Sequence, residues 1–112
     1  MFGKKMDKEV MEMLGIDYED KIIDESGSNL SFGEQQKLGL LRVLSSDAET
    51  VVLDEPLTNL DRKTIESLTN YIVKKKNERS FIAIMHSTEL DEAADIIIEI
   101  KDEKLYVDDR TK

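Results

Sequence analysis

The chain of 112 residues has no cysteine and a single proline, Pro56. The first absence excludes disulfides and thiolate metal sites, so the core must rest on packing alone, which a chain of this length can supply as one domain. No apolar run approaches the ~20 residues that a membrane-spanning helix needs, and nothing reads as a secretory leader. Positive charge is short as well: 16 Lys and Arg face 25 Asp and Glu, a formal net charge of -9. That field repels phosphate backbones and anionic lipid and argues against nucleic acid as a direct partner. The simplest expectation is a soluble, cytoplasmic chain that reaches a membrane only through another protein. Also missing is any G-x-x-x-x-G-K-[ST] phosphate loop. The nearest fragment, "FGKKM" at Phe2 to Met6, lacks the upstream glycine and the hydroxyl residue and reads as a loop.

What is present is a succession of periodic segments. Asp7 caps a short helix with Val10, Met13 and Leu14 on one face, stopped by Gly15. The stretch "IDYEDKIIDESGSN", Ile16 to Asn29, carries turn chemistry and reads as a loop. A second helix runs from Ser31 to about Ser45, with Leu38, Leu41 and Leu44 at a spacing of three and Leu40 and Val43 widening the stripe. Val51, Val52 and Leu53 do not alternate with polar residues, which predicts a strand covered on both faces, stopped by Pro56. Asp61 caps a third helix carrying Ile65, Leu68 and Ile72, with Lys74, Lys75 and Lys76 at its negative end. Phe81 to Met85 reads as a second buried strand, after which Ser87 and Thr88 open a short helix through Ala94. "DIIIEI" and "KLYV" form a strand pair joined through Asp102 and Glu103. Strands separated by helices from Thr50 onward predict an α/β layer with a parallel sheet.

Chemistry concentrates in three places. In "NLSFGEQQK", Asn29 to Lys37, Ser31 and Glu34 have the spacing of a capping box. Gly33 inside that first turn costs about 1 kcal/mol relative to alanine, and its missing side chain opens the backbone to a ligand. The terminus is thus either a cap for the helix's own sake or a phosphate-facing end. In parallel sheets ligands bind beyond the carboxyl ends of the strands. Asp54 and Glu55 follow the first strand and His86 the second. An aspartate there can hold magnesium, usually through water, and an adjacent glutamate can orient an attacking water. The alternatives are a solvated strand end and a surface histidine.

Taken in order, "LSFGEQQK", "VVLDEPLTNLD" and "IMHS" resemble the second half of an ATP-binding cassette (ABC) ATPase domain. Leu30 to Glu34 resemble the signature sequence LSGGQ, Val51 to Asp54 the Walker B strand, Glu55 the catalytic glutamate, Pro56 to Asp61 the D-loop (with Asn59 in it), and His86 the switch histidine. Phe32 replaces the first glycine of the signature, Glu34 its glutamine, and Lys37 a common arginine.

The resemblance implies a partial P-loop NTPase-type (RecA-like) parallel sheet plus the end of an α-helical subdomain: residues 1–46 as the end of the helical subdomain, and residues 47–112 as the second half of the nucleotide-binding core. It implies that the phosphate loop and Q-loop come from a preceding half of the domain. It also implies ATP and Mg2+ as cofactors, a second ATPase domain arranged head to tail, and a membrane-spanning transporter subunit. Ser31, Gly33 and Glu34 would face the γ-phosphate held by the other domain. Asp54 would position magnesium through water, Glu55 polarise the attacking water and His86 sense the γ-phosphate. Gln35 and Gln36 would seat the helix, and Asn59 and Asp61 lie in the loop joining the two sites. Without the Walker A strand, the strand ending at Met85 should have an open edge, and the isolated chain is expected to self-associate and to lack turnover. Two other assignments are half of an SMC or DNA-repair ATPase, and a non-catalytic module that docks on a complete ATPase.

Overall fold

A computed structural model of the chain describes residues 7–16 and 31–111. The predicted loop from Ile16 to Asn29 and the "FGKKM" fragment lie essentially outside them. Helix α1 spans Lys8–Leu14, capped by the Asp7 carboxylate, which accepts from the amides of Glu9 and Val10, and stopped by Gly15 in the left-handed conformation at φ 68°. Val10 and Leu14 are fully buried. The Asp7 amide donates to Ser45 Oγ at 3.0 Å, which ties the start of α1 to the end of the next helix.

Helix α2, Phe32–Ser45, buries Leu40, Leu41 and Leu44 and leaves Val43 exposed. Helix α3, Arg62–Lys75, begins at Asp61, whose carboxylate accepts from the Thr64 amide, and buries Leu68, Tyr71 and Ile72. Ile65 packs against that core from its margin. Glu9 of α1 lies 2.6 Å from Lys74 Nζ and 3.1 Å from Lys75 Nζ. The Arg79 guanidinium, just beyond α3, donates to the carbonyls of Leu44 at 3.1 Å and Ala48 at 2.8 Å. It thereby satisfies one acceptor that the end of α2 leaves open, Leu44 O, and a second in the link to the next strand.

Strand β1, Thr50–Asp54, pairs in parallel with β2, Ser80–Ile84, in the register Thr50 to Ser80 through Asp54 to Ile84. The parallel α/β pairing is as predicted, but the burial is not. Val51 and Leu53 turn into the core formed with the helices, whereas Val52 is 56% exposed. On β2 only Phe81 is half-buried, and Ile82 and Ile84 are exposed. The expectation of strands covered on both faces is therefore corrected: among the described residues a single face of this sheet is packed. The sheet has two strands, so β2 pairs with β1 alone and its far edge has no strand partner among the described residues.

The segment after β2 departs from the predicted helix from Ser87 through Ala94. Bends and a turn lead to a single 3-10 turn, Asp91–Ala93, without a side-chain cap. The Ser87 hydroxyl reaches the Glu89 carboxylate at 3.5 Å, so it does not serve a helix terminus. Leu90 and Ala93 still join the core. The chain ends in an antiparallel hairpin of β3, Ile96–Lys101, and β4, Lys104–Asp109. Asp102 and Glu103 form its turn, both at positive φ (49° and 63°), as a two-residue turn that follows the strands' twist requires. The hairpin is a separate sheet and does not close the edge of β2.

Candidate functional site

The start of α2 forms the capping box that the spacing predicts. The Ser31 hydroxyl accepts from the Glu34 amide at 3.1 Å, and the Glu34 carboxylate accepts from the Ser31 amide at 3.1 Å. Each side chain is thus engaged with the helix's own backbone. Phe32, within the same turn, is 76% exposed. Gly33 has a packing reason of its own: a Cβ there would come within 2.8 Å of the Asn59 carbonyl oxygen. The loop after β1 thus passes directly over the first turn of α2, and the glycine permits that approach.

Asp54 ends β1 with its side chain exposed. Glu55, the next residue, adopts φ 49°, and Asn59 adopts φ 63°. Asparagine tolerates the left-handed region, but for glutamate it costs roughly 1–2 kcal/mol, so surrounding structure must hold it. The Glu55 amide donates to Ile84 O of β2 at 2.9 Å. Its carbonyl accepts from Gln36 Nε2 of α2 at 3.2 Å, and the same nitrogen donates to Pro56 O at 2.8 Å. Pro56 itself is fully buried. Backbone strain of this kind clusters at functional positions.

The turn at Glu55 brings its carboxylate toward the end of β2. His86 Nε2 lies 3.0 Å from Glu55 Oε1. That oxygen is buried and receives no aligned hydrogen bond, so the contact is a proximity of the two groups, attractive once the imidazole is protonated. The imidazole is otherwise open to solvent, 89% exposed. Asp61 is occupied locally: hydrogen bonds from the Thr64 hydroxyl, and secondly from its amide, hold the Asp61 carboxyl below its ordinary value of 3.8.

The structure thus joins Gly33, inside the box that Ser31 and Glu34 close, to Asn59, and Glu55 to His86, and it links the two groups through Gln36. The resemblance implies for Gln36 only a general seating role. The available signal was periodicity: Gly33, Gln36, Leu40 and Leu44 share one face of α2, and Leu40 and Leu44 are core residues. A glutamine on an inward stripe needs polar partners, and here two carbonyls provide them. Among the described residues, no group of three or more His, Asp or Glu side chains could by itself cage a metal.

Residues 3–58, half of the chain, match the family model of the ABC transporter. The chain belongs to the ABC transporter family. It is 32% identical over 105 residues to ABC transporter I family member 17 of Arabidopsis thaliana, an alignment covering 89% of this chain and 40% of that protein. It is likewise 32% identical over 79 residues to the lactococcin-G-processing and transport ATP-binding protein LagD of Lactococcus lactis subsp. lactis, covering 70% of this chain and 11% of LagD. The chain therefore spans less than half the length of these ABC relatives. In fold it is similar to a bacterial Atm1-family ABC exporter solved with ATP bound, with a TM-score of 0.78 at 21% identity, covering 99% of this chain and 21% of that one. The α/β fold with its parallel strand pair is accordingly that of ABC ATPases. No helix among the described residues is long and apolar enough to cross a membrane.

Proposed function

We propose that these residues supply the signature, Walker B, D-loop and switch-histidine part of an ATP-hydrolysing subunit that couples ATP binding and hydrolysis to transport. The observation that carries this reading is the Glu55 and His86 arrangement: a carboxylate held at a strained backbone position, with one buried oxygen left without a hydrogen bond, 3.0 Å from an exposed imidazole. The backbone of this residue is held by β2 and by Gln36, which sets its carboxylate beyond the strand ends, where the polarisation of an attacking water needs one.

In this reading residues 1–46 end a helical subdomain and residues 47–112 belong to the nucleotide-binding core. The donor set fits magnesium nucleotide better than a protein-only metal site. Asp54 offers one exposed carboxylate, and magnesium is bound through one or two carboxylates with water and phosphates completing the shell. Asp54 would hold the ion, and magnesium when bound neutralises charge on the phosphates. Glu55 orients water from its strained position, and His86 reaches the same place from the end of β2. Ser31 and Gly33, with Glu34 closing the box, present the amino end of α2 to a phosphate that another ATPase domain binds. Asn59 and Asp61 occupy the loop between the two ends.

The phosphate loop must come from elsewhere, because these 112 residues contain no G-x-x-x-x-G-K-[ST]. A membrane-spanning transporter subunit would be the partner of the assembled ATPase. The open edge of β2 and the apolar outer face at Val52, Ile82 and Ile84 support self-association of the chain when it is alone, since an unpaired, uncovered strand is a template for another. The direct test is turnover of Mg2+-ATP by the purified chain. Phosphate release at background level is the expected result, and turnover that Glu55→Gln abolishes would overturn the assignment of a missing phosphate cradle.

A further inference from the structure

Two contacts from the first turns of α2 clasp the loop after β1 at its two ends. At one end Gln36 Nε2 donates to the carbonyls of Glu55 and Pro56, at 3.2 and 2.8 Å. At the other the Asn59 carbonyl lies so close to Gly33 that no Cβ would fit. The loop's internal bonds are at the long end of the range: the Thr58 amide to Glu55 O at 3.4 Å and the Leu60 amide to Leu57 O at 3.2 Å. A loop with two non-glycine residues at positive φ, Glu55 and Asn59, and long bonds of its own takes its shape from what it packs against.

We infer that Gln36 is a positioning residue for Glu55, fixing the peptide that carries this carboxylate to the helix that carries Ser31 and Gly33, so that the two phosphate-facing parts of this chain move as one piece. The inference deepens, and rests on, the reading of Glu55 as the water-orienting carboxylate. The chemistry is specific to a donor. The two carbonyls converge on one nitrogen, so a glutamine serves both, an isosteric carboxylate repels both, and an aliphatic side chain takes this donor from both, leaving Glu55 O only the long bond from the Thr58 amide. Any displacement of α2 along or across its axis then pulls directly on the 55–56 peptide, one bond from the backbone torsion that aims the Glu55 side chain.

The test is amide exchange and scalar coupling by NMR on the full chain, which needs no ATP turnover. A failure here is therefore distinguishable from a failure of the hydrolysis assignment. Gln36→Leu is expected to speed exchange of the Glu55 and Thr58 amides by about tenfold, the equivalent of one to two net hydrogen bonds lost, while the Leu68 amide in α3 keeps its rate. The Glu55 amide-to-Hα coupling, which reports positive φ, shifts toward the value for negative φ. Gln36→Lys, which keeps a donor of similar reach, restores both readouts, and Gln36→Glu does not. Unchanged loop amides in Gln36→Leu, a uniform rise across α1 to α3, or failure of Gln36→Lys to restore the coupling would each overturn the inference. Should Gln36→Leu fail to fold, the wild-type chain decides: side-chain amide protons of Gln36 protected from solvent uphold the clasp, and freely exchanging ones refute it.

Discussion

The helical body and the terminal hairpin are built from the same residue types and treat them oppositely. Leu14, Leu41 and Leu68 are wholly removed from solvent, whereas Ile98, Ile100, Leu105 and Val107 are each at least 60% exposed. In the hairpin Ile96, Ile98 and Ile100 share a face with Leu105 and Val107 across the ladder, so the apolar face is as continuous as any helix stripe. The outer face of β1 and β2, with Val52, Ile82 and Ile84, belongs with the hairpin. What separates the regions is geometry. Three amphipathic helices and one sheet face can cover one another, while the second sheet face and the hairpin need a further layer, which the described residues do not provide. The body is thus a core in its own right, and the strand faces stay uncovered among the described residues.

That contrast can be broken most sharply at its packed end. Leu68→Ala should cost about 2–5 kcal/mol in urea denaturation, whereas Ile100→Ala should stay within about 0.5 kcal/mol, as exposed positions do. Equal losses would mean that the hairpin is part of the folding core. Next in size, Ile82→Lys, a charge on the uncovered face beside the open edge of β2, should weaken self-association of the chain at least about tenfold in sedimentation equilibrium, a change of some 1.4 kcal/mol, without lowering the denaturation midpoint. A midpoint that falls instead would place that face inside the chain's own core. Ser31→Ala removes half of the capping box and should lower stability by about 1 kcal/mol, a loss confined to α2 in amide exchange.

The pH dependence has a definite sign. The Asp61 carboxyl is held below 3.8 by Thr64, so its cap stabilises fully above the unfolded value and is lost as pH falls through the lower folded one. Amide exchange in the first turn of α3 should accelerate only below about pH 4, and Asp61→Asn should remove that step while keeping a cap. The smallest effect is expected at Glu9. Hydrogen bonds from Lys74 and then Lys75 lower its carboxyl, and the Glu9 contact raises the Lys75 ammonium. The pairing therefore stabilises between those two titrations, and is lost in acid as Glu9 protonates and in strong base as Lys75 deprotonates. These side chains are solvated, and Glu9→Gln should move the melting temperature least of the set, the more so in high salt.

Local signals were legible in the sequence wherever local physics decides. Asp7 and Gly15 bound α1, Asp61 starts α3, and Asp102 with Glu103 turns the hairpin, because caps and turns depend on a few neighbouring residues. The coverage of Val52 and Ile82 was not, since an apolar run records that a face should be buried and not which element buries it. The helix expected from Ser87 shrank to the turn Asp91–Ala93 because neither hydroxyl caps it and it has no full apolar stripe. At the site, the spacing of Ser31 and Glu34 foretold the capping box. The left-handed Glu55 and its clasp by Gln36 depend on a contact nineteen residues apart, which no local pattern encodes.

The central claim is that this chain carries one part of an ATP site whose phosphate loop lies outside these residues. It is tested most directly by adding a separately purified ABC ATPase half that bears the phosphate loop and following phosphate release from Mg2+-ATP. Turnover that appears only in the mixture, and disappears with Glu55→Gln in this chain, is the predicted result. Turnover in the mixture that is indifferent to Glu55→Gln, or turnover by this chain unaided, would contradict it.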